Sequence, residues 1–220
     1  MGERGGEYYD AIEREFYTAV LADVLDGLGH RQQVMRHDIR PLYEDARVVG
    51  RAATMLVAEV FDEPAEPYKL ELRLLDGLRP SEVVVFAAPP TRTAAIWGEL
   101  LSTHARARGG RGAVIDGLTR DTWGIVDMRF PVFCAGATPA DSRGRLDVVA
   151  IRVPVSVGGV LVRDGDLVVA DPDGCLVVPQ AVEDEAIALA REKVAGESRV
   201  RELLREGSSL EQVFAEHGIL

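Results

Sequence analysis

Residues 83–121 read VVVFAAPPTRTAAIWGELLSTHARARGGRGAVIDGLTRD. The run Val83 to Ala88 is continuously apolar and stops at Pro89-Pro90, the signature of a strand buried on both faces. Ala94 to Arg108 is rich in Ala and Leu and closes at Gly109-Gly110, which predicts a helix with a glycine terminator. Gly112 to Ile115 is the next short apolar run. Strand, helix and strand in this order predict a βαβ unit, hence a parallel sheet that receives its ligands at the carboxyl ends of its strands. Asp116 to Thr122 lies at such an end.

On the N-terminal side, Ile12, Phe16, Val20, Val24 and Leu28 recur every fourth residue within Tyr8 to Leu28. That spacing predicts helical structure closed by Gly27 and Gly29, with Thr18 as the cap of a second piece. Arg47 to Val49 and Ala52 to Val60 read as strands, Phe61 to Glu66 as a charged loop, and Lys69 to Gly77 as a short helix. Beyond residue 121, Val132 to Ala135, Val148 to Val153, Val160 to Leu161, Leu167 to Ala170 and Cys175 to Val178 predict short strands. Val182 to Glu206 predicts a long charged helix anchored by Ile187, Val194, Leu203 and Leu204, and Ser208 to Phe214 a final short one. With no repeat and no linker, residues 1–220 read as one α/β domain, its helical ends at 8–28 and 182–214.

Twenty-five Lys and Arg against thirty-six Asp and Glu give a net charge of −11. Such a field repels phosphate backbones and anionic lipid, so neither nucleic acid nor membrane is an expected partner, while a local pocket for a small anion stays open. Met1 to Asp10 lacks the basic and apolar regions of a signal peptide. The most apolar stretch, Leu146 to Val162, is broken by Asp147, Arg152, Pro154 and a Gly pair, so a soluble cytoplasmic protein is expected. Cys134 and Cys175 have no metal-ligand spacing and read as a reduced, buried pair.

Gly98-Glu99-Leu100-Leu101 begins a helix inside the predicted helical segment. At a helix start the N–H groups of Leu100 and Leu101 lack intrahelical partners and suit a carboxylate or phosphate. Taken alone, Glu99 reads equally well as a surface acid complementing the helix dipole. Arg120-Asp121 follows the strand at 113–115 and the turn Asp116-Gly117, which aims it. The residues between Glu99 and Arg120 make one helix plus one strand, an excursion that returns the chain to the same rim. Asp121 is a hard oxygen ligand suited to Mg²⁺ or Mn²⁺, and Arg120 a forked donor for a carbonyl oxygen that becomes an enolate.

An acid, a twenty-residue gap and then Arg-Asp resembles the signature of the class II 4-hydroxy-4-methyl-2-oxoglutarate/4-carboxy-4-hydroxy-2-oxoadipate aldolases of the RraA-like family. The likeness extends through TAVLADVLDGLG (18–29), RVVG (47–50), GELL (98–101), VIDGLTRD (114–121), PVFCAGAT (131–138), PVSVGG (154–159) and GDLVVADPDGCLVVP (165–179). It departs at Arg79-Pro80-Ser81-Glu82, where the family has a Pro-Gly-Asp turn expected at the surface, and at Thr122-Trp123, where smaller residues stand. The resemblance implies a three-layer β/β/α swivelling-domain fold in a trimer or hexamer, with sites between subunits. It further implies Asp121 as a direct metal ligand, Glu99 acting through water, and Arg120 on the keto oxygen of a pyruvoyl group. The N–H groups after Gly98, on Leu100 and Leu101, would hold the carboxylate. A further acid reaches the metal waters from a neighbouring subunit's C-terminal helix; Glu197 fits that place, and reads equally as a solvated helix acid. The implied activity is metal-dependent cleavage of a 4-hydroxy-2-oxo acid to pyruvate and a second carbonyl compound, with oxaloacetate decarboxylation through the same enolate.

A different class also fits this family: a regulator that binds and inhibits a ribonuclease without catalysis. The trio Glu99, Arg120 and Asp121 favours the enzyme, since a contact surface has no need of it. His104 reads as a surface or interface histidine, and His30 and His37 flank a loop. Asp171, Asp173 and Gly174 lack the rest of a calcium loop, and Gly109 to Gly112 lacks a dinucleotide fingerprint. Menaquinone methylation, an older label in this family, finds no cofactor loop here.

Overall fold

A computed structural model describes residues 4–91 and 93–218. The first three residues of the stretch read for a leader, and the last two of the predicted domain, lie outside them. The strands are β1 (Arg40–Pro41), β2 (Val48–Glu59), β3 (Glu82–Ala87), β4 (Ala95–Trp97), β5 (Gly112–Asp116), β6 (Leu118–Thr119), β7 (Val132–Cys134), β8 (Leu146–Ile151), β9 (Val155–Val157), β10 (Val160–Val162), β11 (Leu167–Asp171) and β12 (Gly174–Val178). The helices are α1 (Gly6–Glu15), α2 (Thr18–Gly27), α3 (Lys69–Asp76), α4 (Glu99–Ala107), α5 (Thr122–Asp127), α6 (Glu183–Arg205) and α7 (Leu210–His217).

The main sheet runs β1-β7-β5-β3-β2-β11-β12, with β8 pairing the far end of β2. Strands β2, β3, β5 and β7 are parallel, so their carboxyl ends share one rim. The βαβ reading therefore holds: β3 pairs with β5 across α4, Val83 opposite Gly112. At one end of the path Arg40 donates to the carbonyls of Pro172 and Asp173 in the β11–β12 turn at the other, and the sheet curls nearly closed. Val155, Val157, Val160 and Val162 of the β9–β10 hairpin fill the inside of the curl against Val85, Val114 and Phe133. Helices α3 and α4 cover one outer face, and α1, α2 and α6 pack on Val49, Val169, Leu176 and Val178. This is the expected β/β/α arrangement.

Several predicted elements change at their ends. The stripe over 8–28 is two helices, the second piece beginning at Thr18 as expected, because Phe16 and Tyr17 are extended between them. Thr18 does not cap the second; Asp171 does, accepting the Thr18 N–H and hydroxyl at 2.7 Å each. The strands expected at 47–49 and 52–60 are one continuous β2. The helix expected from Ala94 begins only at Glu99, since Ile96 and Trp97 belong to a strand pairing β6 in parallel. The strand expected over 148–153 starts at Leu146 and stops before Arg152, whose φ is 55°. The hairpin β9–β10 was half seen: its turn, Gly158-Gly159, has φ of 58° and 84°, the geometry two-residue hairpin loops favour. The turn at 79–82 is no mere surface turn, because Ser81 and Glu82 are buried and Glu82 takes the Arg152 guanidinium. Both cysteines are free and buried, and among the described residues no helix is long and apolar enough to cross a membrane.

Candidate active site

Trp97 organises the rim. Its indole is buried, lies against Phe86 and Phe130, and donates to Ser102 Oγ at 2.7 Å, which in turn donates to the Gly98 carbonyl. Its own carbonyl accepts the Arg120 N–H at 2.9 Å and the Thr119 hydroxyl at 3.1 Å. One buried aromatic residue thus fixes the start of α4 and the loop carrying Arg120 relative to each other.

Gly98 is extended and among the described residues no side chain caps α4, which leaves the N–H groups of Leu100 and Leu101 for a ligand anion. Asp121 has φ 54° and ψ 36°, a left-handed conformation that Asp tolerates better than most residues and that turns its carboxylate back towards Gly98. A Cβ on Gly98 would stand 2.8 Å from Asp121 Oδ2 and 3.4 Å from Arg120 Cγ. Only glycine leaves room for that approach.

A cavity of about 210 Å³ opens here, lined by Gly98, Leu100, Leu101, Arg120 and Asp121 together with Tyr68, Glu71, Asp141 and Ser142. Arg120 Nε lies 3.6 Å from Asp121 and its Nη1 lies 3.5 Å from Asp141, whose other oxygen accepts from Tyr68 at 3.0 Å. The guanidinium is thus held between two carboxylates and still two-fifths exposed, free to meet a ligand oxygen.

Glu99 stands beside the cavity. Its carboxylate accepts from Thr103 at 2.7 Å, and its Cγ packs where Gly124 leaves space. Glu197, in the same chain, accepts from Tyr17 and lies 3.6 Å from Lys193 and 3.9 Å from Arg201, an engaged helix acid. Among the described residues no three His, Cys, Asp or Glu side chains converge on one point. Of the carboxylates lining the cavity, Asp141 is engaged by Arg120 and Tyr68 and Glu71 is buried, whereas Asp121 stands at a cradle beside Gly98 that a methyl group would fill; a single hard ligand so placed suits an ion keeping most of its waters. Asp116 does more than form a turn: it accepts from Arg36 and, at 2.9 Å, from the Gly158 N–H, tying β5 to the hairpin. Trp123 is exposed on α5 and does not line the cavity; His104 meets Asp76 at 3.2 Å on the surface.

Sequence reasoning missed Tyr68, Glu71 and Asp141. Asp141 was findable, since it follows closely on the rim loop after β7, a parallel neighbour of β5. Glu71 also left a trace, as the one acid on the face of α3 that carries Leu74 and Leu75 into the core. Burial, with Asp147 and Asp141 near, pushes its carboxyl up to about 8.

The family model that matches, RraA-like (Aldolase/RraA), covers residues 18–177. A protein of Halalkalibacterium halodurans, named provisionally as a 4-hydroxy-4-methyl-2-oxoglutarate aldolase, is 36% identical over 83% of this chain and 81% of its own. A crystal structure of an uncharacterised Pseudomonas syringae protein superposes with a TM-score of 0.85 at 28% identity, covering 98% of this chain and 96% of that one. A Streptomyces coelicolor protein described as an unusual member of the RNase ES inhibitor RraA family gives 0.80 at 29% identity, over 91% and 98%.

Proposed function

Because the chain belongs to the RraA-like family, we propose that it is a carbon–carbon lyase, an aldolase that cleaves a 4-hydroxy-2-oxo acid to pyruvate and a second carbonyl compound. Oxaloacetate, which passes through the same pyruvate enolate, is a second substrate. The observation that carries this reading is the single cavity shared by the α4 N-terminus, Arg120 and Asp121.

The substrate carboxylate docks on the N–H groups of Leu100 and Leu101, where the helix dipole adds a favourable field. Arg120 donates to the C2 oxygen, whose charge grows as the C3–C4 bond breaks. Asp121 would hold a Mg²⁺ or Mn²⁺ ion, which supplies further positive charge at the keto acid. Glu99 orients water next to that site from the first turn of α4. The chain assembles as a trimer or hexamer, and a neighbour covers the exposed Leu72 and Leu100 of the cavity lining; Glu197 is the candidate acid offered across that interface.

The test is pyruvate release from a panel of 4-hydroxy-2-oxo acids and oxaloacetate, with Mg²⁺, with Mn²⁺ and after exhaustive chelation. Turnover that needs the metal is expected; full turnover in chelator contradicts it. A second reading, a ribonuclease-binding regulator, draws on the likeness to the Streptomyces structure. Ribonuclease inhibition with no pyruvate release would put it first.

A further inference from the structure

Glu71 is the unexplained group in the cavity. It projects from the buried face of α3 with 6% of its surface exposed, yet it lines the same cavity as Gly98, Arg120 and Asp121. The other charged groups there have partners: Arg120 lies between Asp121 and Asp141, and Asp141 accepts from Tyr68. Glu71 has no hydrogen bond or ion pair among the described residues. A buried carboxyl without a partner is costly, and folds retain one where a ligand completes it. It therefore shares one cavity with the N-terminus of α4, which takes the substrate carboxylate in the reading above.

We propose that Glu71 exchanges the proton of the C4 oxygen, the atom that is a hydroxyl in the substrate and a carbonyl in the second product. This rests on the aldolase reading above. In cleavage the C4–O–H proton passes to the Glu71 carboxylate, and the O–H electron pair becomes the new C=O bond. The C3–C4 pair moves into the enolate whose oxygen Arg120 holds. The enolate then takes a solvent proton at C3, and Glu71 returns its proton to water. In addition the steps reverse, and protonated Glu71 donates to the aldehyde or ketone oxygen as the bond forms.

Two features support the role. With a value of about 8, both forms of the carboxyl are present near neutral pH, as a group working in both directions requires. The charged groups facing it are Asp147 of β8 and Asp141 of the rim loop, with Arg120 and Asp121 lining the same cavity, so a neutral hydroxyl or carbonyl is its natural ligand.

The experiment separates bond cleavage from enolate formation. Wild type and Glu71→Gln, both supplied with Mn²⁺, are compared in two reactions. The first is pyruvate release from 4-hydroxy-4-methyl-2-oxoglutarate, or from whichever hydroxy-oxo acid wild type cleaves fastest. The second is exchange of the pyruvate methyl protons with D₂O followed by NMR, which needs the enolate but no C4 oxygen. The expected result is a fall in cleavage kcat of about a hundredfold or more with little change in KM, while exchange stays within about threefold of wild type. Cleavage at the wild-type rate, or cleavage and exchange falling together, overturns the assignment. Wild type that performs neither reaction overturns the aldolase reading itself, and this role with it.

Discussion

At the scale of single residues, Arg120 bears the most chemistry. Arg120→Lys keeps the charge but loses the planar fork that spans a keto oxygen and a neighbouring acceptor. The expected loss is about a hundredfold in kcat, the scale of one oxyanion donor, with an unchanged melting temperature because the side chain sits half exposed on the rim. Parallel assays of activity and thermal unfolding check it; a variant equally active, or unfolded, removes the role. Gly98→Ala belongs beside it, since the new Cβ would press on Asp121 at 2.8 Å. Metal affinity, measured by titration, should weaken while α4, capped no differently, stays folded. Ser81 is a different residue-scale matter. It holds φ 67° where the family's turn has glycine, a conformation costly for an L side chain. Ser81→Gly should gain about 0.5–1 kcal/mol, or about 2 °C in melting temperature; a loss would show that the buried hydroxyl matters more than the backbone.

At the scale of elements, the sequence was legible wherever hydrophobic pattern and chain order agree. The β3-α4-β5 unit, the Gly98 helix start and the rim position of Arg120-Asp121 all follow from local pattern. Ala95 to Trp97 misled because Ala and Trp sit comfortably in a helical window, and only pairing with β6 makes them a strand. Thr18 looked like a cap because the true cap, Asp171, comes from a strand far along the chain. Glu71 showed only as an acid on the apolar face of α3, and its place in the site emerged once the fold brought that helix to the cavity. Its burial has a consequence for stability. The folded-state value, about 8, lies above the ordinary 4.5. Its contribution is therefore fully present below about pH 4.5 and is lost as pH rises through 8. Glu71→Gln, which never charges, should match or exceed wild type increasingly from pH 5 to pH 9, the gap in melting temperature widening by several degrees. A constant gap would mean that the carboxyl is not buried as described.

At the scale of the whole molecule, an anionic protein presents a cavity that brings together a guanidinium, a helix N-terminus and the carboxylate of Asp121. The net charge of −11 disfavours polyanions, whereas the rim admits a small keto acid. Leu72 and Leu100 of the cavity lining, and Trp123 on α5, are apolar side chains that an isolated subunit would show to water. Light scattering should accordingly give a trimer or hexamer, and a fully active monomer would contradict a shared site. Asp121 joins these features to the proposed chemistry, so the most direct test is pyruvate release by wild type and Asp121→Asn on the same hydroxy-oxo acid across a titration of Mn²⁺. The expected result is a fall of about a hundredfold or more in kcat/KM at limiting metal, with thermal unfolding unchanged. Release by Asp121→Asn at the wild-type rate and metal dependence would contradict an aldolase site built on Arg120 and Asp121.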